Sequence, residues 1–188
     1  MRCFLAVPLE EPALGPAAEL IDRARQQPSG VRWSRPEGLH LTLHFFGSIE
    51  DSRAGAMLEL VRPAAAEHGP FGIHLDHRGH FPERGAARVL WLAPGEGGGR
   101  LAALAARCHE LLGRGGVPLE RRPYVPHCTV GRIPGRGAAA GAVAWPTEAV
   151  AIPPFQVRRM LLYESVAAPG GAVYTPRGEL ELKGPEAG

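Results

Sequence analysis

A chain of 188 residues is long enough for one domain, and 45% hydrophobic with 21% charged residues is the mix of a folded globular protein, which excludes a disordered chain. Glycine and proline (25 and 19 residues) make up about 23% of the sequence but follow no three-residue period, which excludes a collagen-like rod and predicts many turns. The formal net charge is only +2, carried by 20 arginines and the single lysine Lys183, and does not by itself define a nucleic-acid binder.

No apolar run approaches the ~18 residues of a membrane span, and the apolar start CFLAVPL is too short for a signal peptide. Cys3, Cys108 and Cys128 form neither a disulfide framework nor a paired metal pattern, so a reducing cytoplasm is the expected compartment. In chain order, CFLAVPL reads as a first strand and residues 12–27 as a helix with Leu14, Ala17, Ala18, Ile21 and Ala24 at helical spacing. A short extended piece at 31–33 precedes LHLTLHFF at 39–46. There Leu39, Leu41, Leu43 and Phe45 alternate with His40, Thr42, His44 and Phe46.

A second helix is expected over 52–67, then strands at 71–75 and 87–92 separated by the polar, turn-rich DHRGHFPERG. The glycine-rich PGEGGG is a loop by composition, and the amphipathic run 100–112 a third helix ended by Gly113. Residues 124–131 read as extended, and the Gly/Ala-rich run 131–145 as a loop or weak helix. Residues 155–165 read as a strand, and 171–175 and 179–182 as two short ones. Two halves of similar content predict an α+β fold with internal duplication.

The chemistry concentrates in one repeated motif, His-x-Thr, at His40–Thr42 and again 87 positions later at His127–Thr129. Eight histidines and four threonines in 188 positions give about 0.17 such pairs by chance, so composition does not explain two. On a strand, residues i and i+2 share a face. Each motif therefore presents an imidazole beside a hydroxyl, with Leu41 and Leu43, or Cys128 and Val130, turned to the core. Two imidazoles that titrate near neutrality supply a general base and a general acid, and hydroxyls donate to oxygens that gain negative charge. A phosphorus centre fits that set: one histidine activates water, the other protonates the leaving oxygen, and the threonines hold the non-bridging oxygens. From the residues alone the two histidines are interchangeable.

Arg132, just past the second motif, is a candidate phosphate contact, whereas Arg121 and Arg122 read equally well as surface charges. Among aromatics, Phe46, Tyr124 and Trp33 are candidates for stacking on a base, Phe46 first because alternation puts it on the face of His40 and Thr42. His44 is expected on that face as well. His74, His77 and His80 are spaced by three, but Gly79 and Pro82 argue against a helix there, so the reading is a solvated loop rather than a metal site. His68 and His109 read as helix-surface residues. No nucleotide-binding glycine loop, zincin or nucleophile-elbow motif is present.

The segments LHLTLHFFG at 39–47 and RPYVPHCTVGR at 122–132 resemble the two signatures of the two-histidine phosphoesterase superfamily. The likeness is greatest to its RNA 2′,3′-cyclic phosphodiesterase branch, historically called 2′-5′ RNA ligase. MRCFLAVPL, VRWSRPEGLH, ARVLWL, RRMLLYES and GAVY resemble that family in order and spacing, over about residues 1–183. The resemblance implies one two-lobed domain over 1–188: a bilobal α+β fold with pseudo-twofold duplication, antiparallel sheets lining a central cleft and helices outside.

The resemblance also implies hydrolysis of RNA 2′,3′-cyclic phosphate ends to 2′-phosphates, with no metal and no cofactor. His40 would protonate the leaving 3′ oxygen, His127 would activate water, and Thr42 and Thr129 would bind phosphate oxygens. Some members of the family also join RNA ends through a 2′-5′ linkage. The expected partners are RNA ends or small cyclic nucleotides, not a membrane, and the expected state is a monomer. Two alternatives stay open: action on another phosphoester (a 2′-5′ oligonucleotide or an ADP-ribose cyclic phosphate), and a non-catalytic RNA-end binding protein. The sequence departs from the family at Cys128, which stands where a small aliphatic residue is common, and in the loose stretch from Gly131 onward.

Overall fold

Strand β1 (Arg2–Pro8) has five consecutive buried residues, Cys3 to Val7, because it is covered on both faces and flanked on both edges. The computed structural model describes residues 1–26, 30–135, 151–169 and 171–185. After β1 come α1 (Leu14–Arg25), β2 (Arg32–Trp33), β3 (His40–Ser48), α2 (Ala54–Glu67), β4 (Phe71–Ile73), β5 (His77–Phe81) and β6 (Val89–Ala93). They are followed by α3 (Gly98–Arg114), β7 (Cys128–Arg132), β8 (Phe155–Val157), β9 (Arg159–Ala168) and β10 (Gly171–Glu181).

The main sheet runs β10-β9-β1-β3-β7-β6-β5 with β2 paired to β7, and β4 and β8 form a separate pair. Every pairing among the described residues is antiparallel. Along this path β3 and β7 are joined by one residue pair, Leu41 opposite Cys128. The helices cover one face, where Leu5, Leu41, Leu43, Leu90, Leu92 and Leu162 pack with α1 residues Ala17 and Ile21, α2 residue Val61 and α3 residues Leu104 and Cys108. The chain is thus an α+β fold of antiparallel sheets with peripheral helices. No helix among the described residues is long and apolar enough to cross a membrane.

Several expectations need correction. The polar stretch at 76–85 contains strand β5, since an edge strand on a solvated face tolerates His77, Arg78 and His80. The single strand read over 155–165 is two, β8 and β9, in different sheets. The two short terminal strands are one, β10, which accommodates Pro176 because it is an edge strand with an irregular register there. Within the Gly/Ala-rich run, residues 136–145 lie outside the described residues.

The correction with most consequence is in β3. Leu43 and Phe46 have no partner in β1, and the register slips at each. Leu43 and His44 therefore both point to the helix-covered face (2% and 3% exposed), whereas Phe45 is turned out (50% exposed). The alternation expected from LHLTLHFF holds through Leu43 and inverts after it.

Candidate active site

The two motifs meet at the junction of β3 and β7. Pairing of Leu41 with Cys128, the central residue of each motif, puts His40 opposite Thr129 and Thr42 opposite His127. The structure thus brings together the four residues expected from the repeated motif, on the face away from the helices. Each imidazole is held the same way: His40 Nδ1–H donates to the Gly38 carbonyl at 2.6 Å, and His127 Nδ1–H to the Val125 carbonyl at 2.8 Å. A carbonyl oxygen only accepts, so the neutral rings carry their proton on Nδ1 and leave Nε2 free as the basic atom.

A second bulge repeats the first. Val130 has no partner in β6, and the register between β6 and β7 slips there. Val130 and Gly131 therefore both face the core, and Arg132 is turned to the face of His127 and Thr129. The carbonyls at each bulge are satisfied from outside the ladder. His109 on α3 donates Nε2–H to the Leu43 carbonyl at 2.9 Å. Ser34 donates its backbone N–H to the Val130 carbonyl at 2.8 Å and its hydroxyl to the Thr129 carbonyl at 2.9 Å. His109, expected on a helix surface, instead anchors the strand that carries His40.

The surroundings differ on the two sides. His40 sits among the rings of Phe4 (4.6 Å), Tyr174 (5.1 Å, edge-on) and Tyr163 (6.1 Å). Burial pushes its pKa down to about 4, against the Gly38 carbonyl, with the nearby His127 and Arg132 lowering it further. His127 meets Phe81 edge-on at 4.9 Å and is lowered by burial, against the Val125 carbonyl, with Arg132 adding to the shift. Cys128 is fully buried, and its thiol is pushed up to about 12, so it stays protonated and is no nucleophile.

Of the other sequence candidates, Arg132 shares the face of the motifs but Phe46 does not. The bulge turns Phe46 under the sheet, where it packs edge-on against His44 at 4.8 Å. Phe45 takes the place expected for Phe46 and lies 5.8 Å from Phe4. His44 is likewise off the His40 face, buried beside His109 at 5.3 Å. Trp33 is buried, and Tyr124 packs near His109 with the core. His77 binds the Asp76 carboxylate, and no group of metal-ligating residues occurs among the described residues.

Sequence reasoning missed Phe4, Tyr163 and Tyr174 beside His40, and Phe81 and Trp91 beside the second motif. Phe4 lies within the continuous apolar run Cys3–Val7, where no alternating polar residue marks a face. Trp91 rests on Gly79, where an added Cβ would stand 2.5 Å from its ring, a fit that appears only once β5 and β6 pair.

The model of the 2′-5′ RNA ligase superfamily matches residues 12–167. The chain is 34% identical over 196 residues to an RNA 2′,3′-cyclic phosphodiesterase of Thermus thermophilus, covering 98% of this chain and 91% of that protein. It is 31% identical over 179 residues to an RNA 2′,3′-cyclic phosphodiesterase of Methanothermobacter thermautotrophicus, covering 93% and 95%. Among solved structures, E. coli LigT complexed with 3′-AMP superposes with a TM-score of 0.76 at 26% identity, over 96% of this chain and 97% of that one. A protein of Thermus thermophilus superposes with a TM-score of 0.74 at 30% identity, over 98% and 99%.

Proposed function

The chain belongs to the 2′-5′ RNA ligase superfamily, in its RNA 2′,3′-cyclic phosphodiesterase family, and from that premise we propose how its own residues open a 2′,3′-cyclic phosphate at an RNA end. His127 Nε2 takes a proton from water as the water oxygen attacks phosphorus. The bond from phosphorus to the ribose 3′ oxygen breaks, and His40 delivers a proton to that oxygen from Nε2. The products are a 2′-phosphate and a free 3′ hydroxyl, and solvent returns both histidines to their starting states. Thr42 and Thr129 hydroxyls donate to the non-bridging oxygens, where negative charge grows in the transition state. Arg132 adds positive charge on the same face. No step requires a metal ion.

One observation carries this reading. Two imidazoles, each with Nδ1 committed to a backbone carbonyl, present free Nε2 atoms from strands whose register faces one motif with the other. The acid and base assignment is supported by their surroundings. His127 is the less enclosed of the two, meeting the single ring of Phe81, whereas His40 is enclosed by three rings. An anionic phosphate between them favours the protonated imidazole most strongly at the drier position, which supplies His40 with the proton it must donate.

The same offset of 87 relates Gly38 to Val125, the bulge residue Leu43 to Val130, and Phe45 to Arg132. These correspondences support two lobes related by a pseudo-twofold axis through the junction, lining one cleft, in a single domain over 1–188.

The test is incubation of the purified protein, in excess EDTA, with a 2′,3′-cyclic nucleotide and with a short RNA ending in that group, the product identified by phosphorus NMR. A 2′-phosphate is expected from both. A 3′-phosphate would reverse the leaving oxygen, and no product from either would overturn the reading. His40→Ala and His127→Ala should each lower turnover by roughly a hundredfold or more while the protein still unfolds in one cooperative transition.

A further inference from the structure

β2 is two residues long, yet its attachment is elaborate. Trp33, opposite Gly131, is buried, and a Cβ on Gly131 would stand 2.7 Å from Val31 Cγ1 and 3.1 Å from the Trp33 ring. Ser34 holds the Thr129 and Val130 carbonyls, and Arg25 donates to the Ser34 carbonyl at 2.8 Å. What this anchoring displays on the open face is one side chain, Arg32, directly opposite Arg132. Cross-strand partners share a face, so the Arg32 and Arg132 side chains leave from neighbouring positions on the surface that carries Thr129.

Like charges placed opposite each other oppose folding unless something anionic lies between them. Neither Arg32 nor Arg132 has a carboxylate partner among the described residues. Arg62, Arg107, Arg114, Arg159 and Arg177 are each bound to one or more. The row containing the pair continues through Val89 to Phe81, the ring against His127. The pair therefore sits beside the reacting centre, about 7 Å along the sheet from Thr129, because the bulge at Val130 leaves only the two β6 steps from Trp91 to Val89 between Thr129 and Arg132. Two guanidinium forks side by side suit the oxygens of a phosphate.

We propose that Arg32 and Arg132 form a second anion site, which holds the internucleotide phosphate on the 5′ side of the terminal nucleotide and makes the protein prefer RNA chains to cyclic mononucleotides. This rests on the reading that the junction hydrolyses RNA 2′,3′-cyclic phosphate ends. The reacting phosphate is held by the threonines between the histidines. A chain, unlike a mononucleotide without a 5′ phosphate, offers a further phosphodiester for the arginines.

The test compares kcat/KM for a pentanucleotide ending in a 2′,3′-cyclic phosphate with that for a 2′,3′-cyclic mononucleotide, in the native protein, Arg32→Ala and Arg32→Glu. Binding of the same labelled pentanucleotide is followed by anisotropy in a His127→Ala background, where the end group survives. In Arg32→Ala the ratio of the two kcat/KM values should fall about tenfold, and the slope of log affinity against log salt should lose about 0.7 for the lost phosphate contact. Arg32→Glu places an opposite charge against Arg132, so it should melt no lower than the native protein while losing the preference for the chain. An unchanged ratio together with unchanged binding in both variants overturns the site. A native protein inert on both substrates overturns the hydrolytic reading. In that case weakened pentanucleotide binding in Arg32→Ala still upholds the anion site, and unchanged binding rejects it.

Discussion

The pH dependence of kcat/KM is set by what the fold does to two imidazoles. Burial lowers His40 to about 4, and His127 is also held below its ordinary value of 6.5. Acid and base must act together, so the productive form carries a single proton shared over the pair. The two titrations appear as macroscopic values of the pair, both below 6.5. A phosphodiester monoanion does not titrate in this range, so kcat/KM reports the free enzyme alone. The profile should peak between about pH 4 and 6.5. Above the upper value the singly protonated form falls about tenfold per pH unit, so kcat/KM should drop roughly a hundredfold from pH 6.5 to 8.5. The profile of kcat should be displaced toward higher pH, because a bound phosphate stabilises the imidazolium. The assay is hydrolysis of a 2′,3′-cyclic nucleotide from pH 4 to 9 at constant ionic strength in EDTA. A flat kcat/KM between pH 6.5 and 8.5, or an optimum above 7, refutes the reasoning.

Other outcomes follow from the same contacts. Leu41 is fully buried between His40 and Thr42, and Leu41→Ala should lower the unfolding free energy by about 3 kcal/mol in a urea titration; less than 1 would contradict its place in the core. Ser34→Ala removes the hydroxyl bond to the Thr129 carbonyl and should lower stability by about 1 kcal/mol, with a larger fractional loss in kcat than in affinity; unaltered kcat would show that the bulge does not position Thr129. Gly131→Ala forces its Cβ against Val31 and Trp33, and should lower stability by about 1–3 kcal/mol and weaken pentanucleotide binding by displacing β2; a neutral effect on both would refute the close approach. His44 is buried neutral, with its pKa lowered to about 4 by burial and by His109. The unfolded chain binds a proton below about 6.5 while the folded one resists until about 4, so stability is full above 6.5 and falls through that window. His44→Leu should shrink the difference between urea midpoints at pH 7 and pH 4.5, and an unchanged difference would rule out His44 as its source.

The chemistry was legible because strand periodicity is local. A His-x-Thr motif on an extended segment must present both groups on one face, and its recurrence in a threonine-poor chain identified His40, Thr42, His127 and Thr129 as a set. The apolar positions of α1, α2 and α3 were legible for the same reason, each helix carrying its own buried stripe. The tertiary structure alone decided what comes after each motif. Bulges at Leu43 and Val130 depend on the register with β1 and β6 and on carbonyls satisfied by His109 and Ser34, and these partners lie 66 and 95 or 96 positions away. The bulges exchange Phe46 for Phe45 on the open face, send His44 beneath the sheet and turn Arg132 toward the histidines. Periodicity describes a strand only while its ladder is regular, and whether the ladder breaks is determined by neighbours that are distant in the chain. The enclosure of His40 by Phe4, Tyr163 and Tyr174 has the same origin, since three separate strands supply those rings, and the pairing of Arg32 with Arg132 exists only because β2 lies against β7.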